Sequence, residues 1–153
     1  MSSELMPIVR RAAALVLLAA LAGCTLFAPR YDPTLDQKIT GAYQLVAGFA
    51  ASGELGSYAD KASYDATAPQ YAEAQAQLAV ARLRAENAPV QGKAAVRARA
   101  LLGGLIQGCS DRIGSFAAQH RKFGIQPGTG ATQAMMTSCD QAARAAQALK
   151  PGG

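Results

Sequence analysis

Between residues 34 and 150 the apolar positions recur every three or four residues in four separate runs. In the first, Leu35, Ile39, Ala42, Val46 and Phe49 are spaced 4, 3, 4, 3, which places them on one stripe of a helix. Two starts fit this run. Asp32 can cap it with Pro33 at the first helical position, or Thr34 and Gln37 can form a capping box. Gly53 and Gly56 bracket its end.

A second run spans about 57–87. Tyr64, Tyr71, Leu78 and Ala85 lie seven apart, with Thr67, Ala74 and Ala81 filling the seam. Pro69 falls inside this pattern and predicts a kink or a restart, because it removes a backbone donor. The third run, about 89–123, carries Ala94, Ala98, Leu101, Leu105, Cys109, Arg112 or Ile113, Phe116 and Phe123 along one face. Gly103, Gly104 and Gly108 interrupt it, at about 1 kcal/mol each against alanine. They either admit a neighbouring helix closely or mark a bend. His120, Arg121 and Lys122 suit its C-terminal turn, which Gly124 closes. After the break GIQPGTG, Thr129 or Thr132 opens a fourth run with Thr132, Met135, Cys139, Ala142, Ala146 and Leu149 on one face.

No segment alternates as a strand would. Four amphipathic helices with short connections predict an all-α protein, an antiparallel up-down-up-down bundle over 34–150. Its seams are rich in alanine, which supplies 29 of the 130 residues from Cys24 onward. Helices so lined pack closely but bury few large side chains.

The N-terminal 23 residues follow a different rule. Arg10 and Arg11 precede an uncharged run from Ala12 to Ala22, about half the length a membrane-spanning helix needs. A basic start followed by such a run reads as a secretory signal peptide, residues 1–23. A twin-arginine signal shares the Arg pair, but Ala-Ala-Ala follows it here without the usual flanking pattern. The run ends in Leu21-Ala22-Gly23-Cys24, which resembles the lipobox of bacterial lipoproteins. That resemblance covers about 24 residues. It implies cleavage before Cys24, with a diacylglycerol and an N-linked acyl chain on Cys24; no cofactor is expected besides these. Two or three acyl chains anchor a protein stably. Thr25 rather than Asp after the Cys implies the outer membrane, periplasmic face. Residues 24–33 then form the acylated Cys and a tether, with Pro29 and Pro33 opposing helix. The rest of the chain is similar to small, alanine-rich helical lipoproteins of Gram-negative bacteria, a likeness that carries no site residues with it.

Composition narrows the chemistry. Apolar residues make up 50% and charged residues 16%, which excludes a disordered, solvating segment. The net charge is +5, and removal of Glu4, Arg10 and Arg11 leaves +4. A single His speaks against most zinc enzymes. Of three Cys, one belongs to the lipobox. The remaining pair, Cys109 and Cys139, reads as a disulfide in an oxidising compartment. Cys109 lies about 21 Å before the end of its helix and Cys139 about 15 Å into the next. Antiparallel packing brings them to similar heights. The alternative is two buried thiols.

Other constellations are weak. Cys109, Cys139, Met135, Met136 and His120 are soft or nitrogen ligands for copper(I), but most suit core positions. Asp111 and Ser115 share a face, yet His120 lies about 140° around the helix from Ser115, so they make no triad. Glu54, Glu73 and Glu86 are scattered on different elements. Two surfaces stand out instead. Arg82, Arg84, Lys93, Arg97 and Arg99 converge on one end of the bundle, opposed mainly by Glu86. They form either a solvated end or a docking surface for an acidic protein, lipid phosphates or cell-wall carboxylates. All five Tyr lie in the first half, and Tyr31 and Tyr58 are the pair expected at a contact surface, with Tyr64 and Tyr71 in the core.

These features point to a membrane-anchored, non-enzymatic adaptor that meets another envelope protein and no nucleic acid. The rivals are a carrier or sensor of a small apolar ligand held between the helices, and an enzyme acting on the cell wall.

Overall fold

The structure is a computed structural model that describes residues 31–150. The segments expected to be a signal peptide and, up to residue 30, a tether, with Leu21, Ala22, Gly23 and Cys24, lie outside the described residues. Helix α1 spans Pro33–Glu54, a 3-10 turn covers Lys61–Ser63, α2 spans Tyr64–Asn87, α3 Gly92–Phe123 and α4 Ala131–Gln147. Among the described residues there is no strand.

Each helix packs on the next, and α4 closes the ring against α1. Side-chain pairs fix the directions. Arg84 near the end of α2 meets Asp32 at the start of α1, 2.8 Å apart. Tyr71 of α2 reaches His120 at the end of α3. Thr132 opening α4 bonds Glu54 at the end of α1, while Lys150 beyond α4 meets Asp36 in the first turn of α1. The protein is therefore an antiparallel up-down-up-down four-helix bundle. Both Tyr31 and Lys150 sit at one end, here the tether end; the opposite end is distal.

The sequence left two starts for α1, and Asp32 is the cap. Its carboxylate accepts from the amides of Thr34 and Leu35 at 2.8 and 3.2 Å, and Pro33, placed in the expected tether, is already helical. Asp32 also holds Arg84. Burial pushes its pKa up, but Arg84 and the two amides outweigh this and leave it below the ordinary carboxylate range. Asp32→Ala is expected to cost about 1 kcal/mol in a denaturant titration, the usual cost of a lost N-cap.

Helix α2 does not restart at Pro69. The ring is exposed on the outer face, so the carbonyl it leaves without a donor meets solvent rather than core. Helix α4 starts without a cap from Thr129 or its own Thr132. Glu54 of α1 holds the start of the helix in place, accepting from Thr132 Oγ1 and from the Gly128 amide in the preceding connection. Gly53 lets α1 come this close, since a Cβ there would lie 2.7 Å from the Thr132 methyl.

The stripes of α1, α2 and α4 are buried as the sequence predicts, except that Tyr64 and Leu149 are only half-buried. The stripe of α3 needs correction. Its buried face is Ala95, Leu102, Gly103, Ile106, Cys109, Ile113, Phe116 and His120. Leu101 and Phe123 are 66% and 67% exposed. Cys109 and Cys139 are joined, with Cα atoms 4.5 Å apart. The core is uneven: Phe49, Tyr58, Tyr71, Phe116 and Ile125 fill the distal half, while Ala81, Ala85, Ala142 and Ala146 line much of the tether half.

Candidate functional site

The five basic residues do gather toward the tether end, but most are engaged. Arg82 Nε donates to Glu86 at 2.6 Å and its Nη1 bonds Gln107. Arg84 is held by Asp32, a second acid the sequence reading overlooked. Arg99 Nη1 donates to the Ala88 carbonyl at 3.1 Å, tying down the α2–α3 connection. Lys93 and Arg97 are exposed, with no ion pair among the described residues.

The tyrosine surface is corrected by the structure. Tyr58 is buried, its ring centroid 4.7 Å from that of His120 and 6.5 Å from that of Phe116. The residues that follow α1 fold back over the distal end, where the Ile125 amide donates to the Tyr58 carbonyl at 2.6 Å. Gly124, at φ +75°, permits this, because a Cβ there would run into the Ala59 carbonyl. Tyr31 is half-buried and donates to Asp36 Oδ2 at 3.1 Å.

The constellation that the sequence did not reveal centres on His120. It is fully buried among Tyr58, Tyr64 and Tyr71. Ser63 Oγ lies 2.8 Å from Nε2 and donates its own hydrogen to the Asp60 carbonyl at 2.7 Å. Nε2 must then carry the proton that Ser63 accepts. Nδ1 is left as the acceptor for the Tyr71 hydroxyl, 3.0 Å away. With a neutral ring, each hydrogen bond from Tyr71 through His120 and Ser63 to the Asp60 carbonyl has one donor and one acceptor. Desolvation lowers the His120 pKa, against a smaller upward pull from the Asp60 carbonyl. Burial likewise holds the Tyr71 phenol protonated, its pKa well above the ordinary value.

A serine beside a histidine invites a catalytic reading, and the proton direction opposes it. A nucleophilic serine gives its proton to the ring nitrogen; Ser63 receives one instead, and the ring is sealed from solvent. Ser115 donates to the Asp111 carbonyl on an exposed face, away from His120. The network is a clasp between the α1–α2 connection and the end of α3.

Cys109 and Cys139 are consumed by their bond. Among the described residues no three His, Cys, Asp or Glu side chains converge as a metal-binding set. No described helix is long and apolar enough to cross a membrane. The space enclosed by Leu35, Ala85, Leu102 and Ala146 measures about 20 Å³, room for about one water. A larger groove of about 230 Å³, lined by Leu78, Arg82, Leu83, Glu86 and Ile106, is open to solvent between α2 and α3. No protein-family model matches the sequence, and no curated protein or solved structure matches it either.

Proposed function

We propose that the protein is an exported lipoprotein, held by acyl chains on Cys24 at the periplasmic face of the outer membrane. Its bundle works there as a non-enzymatic adaptor through protein–protein contact. The observation that supports this reading is the buried Cys109–Cys139 bond, of the kind that forms and persists in oxidising compartments. The placement of Tyr31 at one end supports it, since the bundle then stands upright on a short tether. Anchoring near a partner raises the effective concentration of a weak binder, so a modest contact area suffices.

The packed interior favours an adaptor over a carrier. Ligand pockets for small apolar molecules measure about 300–1,000 Å³. The spaces of that size here, about 450 Å³ beside Arg82, Arg99 and Gly103 and about 520 Å³ beside Asp36, Gln77 and Lys150, are open grooves lined by charged and amide side chains. The apolar pocket at Leu35 and Ala146 measures about 20 Å³. A cell-wall hydrolase would need converging carboxylates, whereas Asp32, Asp36, Glu86 and Asp140 are each engaged by a different cation.

In-cell crosslinking of the intact chain, followed by affinity capture and mass spectrometry, tests the reading. One envelope protein is expected to be enriched, and its capture is expected to be lost in Cys24→Ala. Capture that ignores Cys24 would remove the anchor from the mechanism. Turnover of peptidoglycan by the purified chain would replace the adaptor with an enzyme.

A further inference from the structure

Charge is distributed unequally along the bundle axis. At the level of the Cys109–Cys139 bond the described residues divide into two halves. The tether half carries eight Lys and Arg against four Asp and Glu; the distal half carries four against five. The four acids of the tether half are already matched, Asp32 by Arg84, Asp36 by Lys150, Glu86 by Arg82 and Asp140 by Arg144. The surplus is Lys38, Lys93, Arg97 and Arg99. Three of these lie in the first turns of α3, and Arg99 is occupied by the Ala88 carbonyl. Lys93 and Arg97, spaced i, i+4, share one outward face. Val96 beside them is 44% exposed, and Leu83 on the neighbouring end of α2 is 61% exposed.

We infer that this corner of the tether end is a seat for an anionic bilayer surface, with Lys93 and Arg97 as its phosphate-facing residues. The inference rests on the anchoring proposed above. Cys24 is seven residues before Tyr31, so an acylated Cys24 lies at most about 25 Å from where the chain joins the bundle. The lipid headgroups are then the polyanion within reach of this end. The unmatched positive charge faces them, and the near-neutral distal half points away. The seat turns a flexible attachment into an oriented one, because headgroup attraction falls off within a Debye length, about 8 Å at physiological salt. Only a bundle standing with its α2–α3 corner down feels it.

The test uses the chain from residue 24 onward with Cys24→Ser, which carries no lipid yet contains every described residue of the core. It is sedimented with vesicles of phosphatidylglycerol and phosphatidylcholine, or of phosphatidylcholine alone. Binding is expected only to the anionic vesicles, and high salt is expected to abolish it. Lys93→Gln with Arg97→Gln should weaken binding about 25-fold, at roughly fivefold per basic residue. Arg121→Gln with Lys122→Gln, at the distal end, should leave it unchanged. Failure to bind anionic vesicles overturns the seat, as does equal loss in the two double variants. A chain that prefers an acidic protein to these vesicles overturns it too. The anchor is read separately, from the mass of the Cys24 peptide in membranes. An unacylated Cys24 would overturn the anchoring while leaving the vesicle result to stand by itself.

Discussion

Replacing Cys109 and Cys139 together by alanine is expected to lower the unfolding free energy by about 3.5 kcal/mol. The bond closes a loop with a sequence separation of 30 residues, and in the chain-entropy model its removal returns that much freedom to the unfolded chain. Both residues are buried, so alanine is the suitable replacement; serine would add a buried hydroxyl with its own cost. The effect is large against the ~5–15 kcal/mol that holds a domain together. It is large here for a local reason as well. The bond ties α3 to α4 where the core passes from aromatic rings to alanine, and alanines bury too little area to replace it. Denaturant titration of the oxidised chain, the reduced chain and the double variant measures the difference. Reduced chain and double variant should agree within about 1 kcal/mol; an oxidised midpoint no higher than theirs would remove the bond from the account of stability.

The sequence pattern was legible wherever a large apolar residue marked the stripe. Leu35, Ile39, Val46 and Phe49 fix the face of α1, and Tyr71 and Leu78 fix that of α2. In the first half of α3 the markers mislead. Ala94, Ala95, Ala98 and Ala100 fit any face, so Leu101 and Leu105 draw the stripe one position away from Leu102 and Ile106. Phe123 extends the same error. It lies on the surface, with Lys122 Nζ 4.8 Å from its ring centroid. Continued from Ile113 and Phe116 at the same spacing, the true face arrives at His120. Its neighbours Arg121 and Lys122 disguise it as part of a solvated helix end. The partners of His120 were beyond the reach of periodicity altogether. Ser63 stands 57 residues away, in a connection folded by single contacts such as Ile125 to Tyr58, and such a segment has no repeat to read. That Arg82, Arg84, Lys93, Arg97 and Arg99 share one end follows from helix order, but the pairing of Arg84 depends on Asp32, which helix packing brings to it.

The buried histidine gives the fold a second expected sensitivity, to mild acid. In the folded chain both ring nitrogens are committed, Nε2 donating to Ser63 and Nδ1 accepting from Tyr71. A second proton on Nδ1 would face the Tyr71 hydroxyl, whose hydrogen would lose its one hydrogen-bond acceptor in a buried residue. The polar side chains around the ring are those of Ser63, Tyr58, Tyr64 and Tyr71, and Asp60 offers only its backbone carbonyl. No carboxylate compensates a charged ring, so burial sets the direction and the folded pKa lies below the ordinary value. The unfolded chain takes up the proton near pH 6.5, and the folded chain only at lower pH. The contribution of the neutral ring is therefore complete above about pH 6.5. It declines as pH falls, with a slope of up to about 1.4 kcal/mol per pH unit, until the depressed folded pKa is passed. Urea midpoints of the wild-type chain should fall between pH 7.5 and 5, while those of His120→Gln should start lower and stay nearly flat. Asp32 does not imitate this slope, since its folded pKa is lowered and its contribution is lost as pH falls through its ordinary value of 3.8 toward the folded one. Tyr71→Phe separates the clasp from the titration. It leaves Nδ1 without a donor, should cost about 1–3 kcal/mol at pH 7.5, and should shrink the acid-dependent loss because a free Nδ1 accepts a proton more readily. Equal slopes in wild type and His120→Gln would show that the acid response arises elsewhere in the bundle.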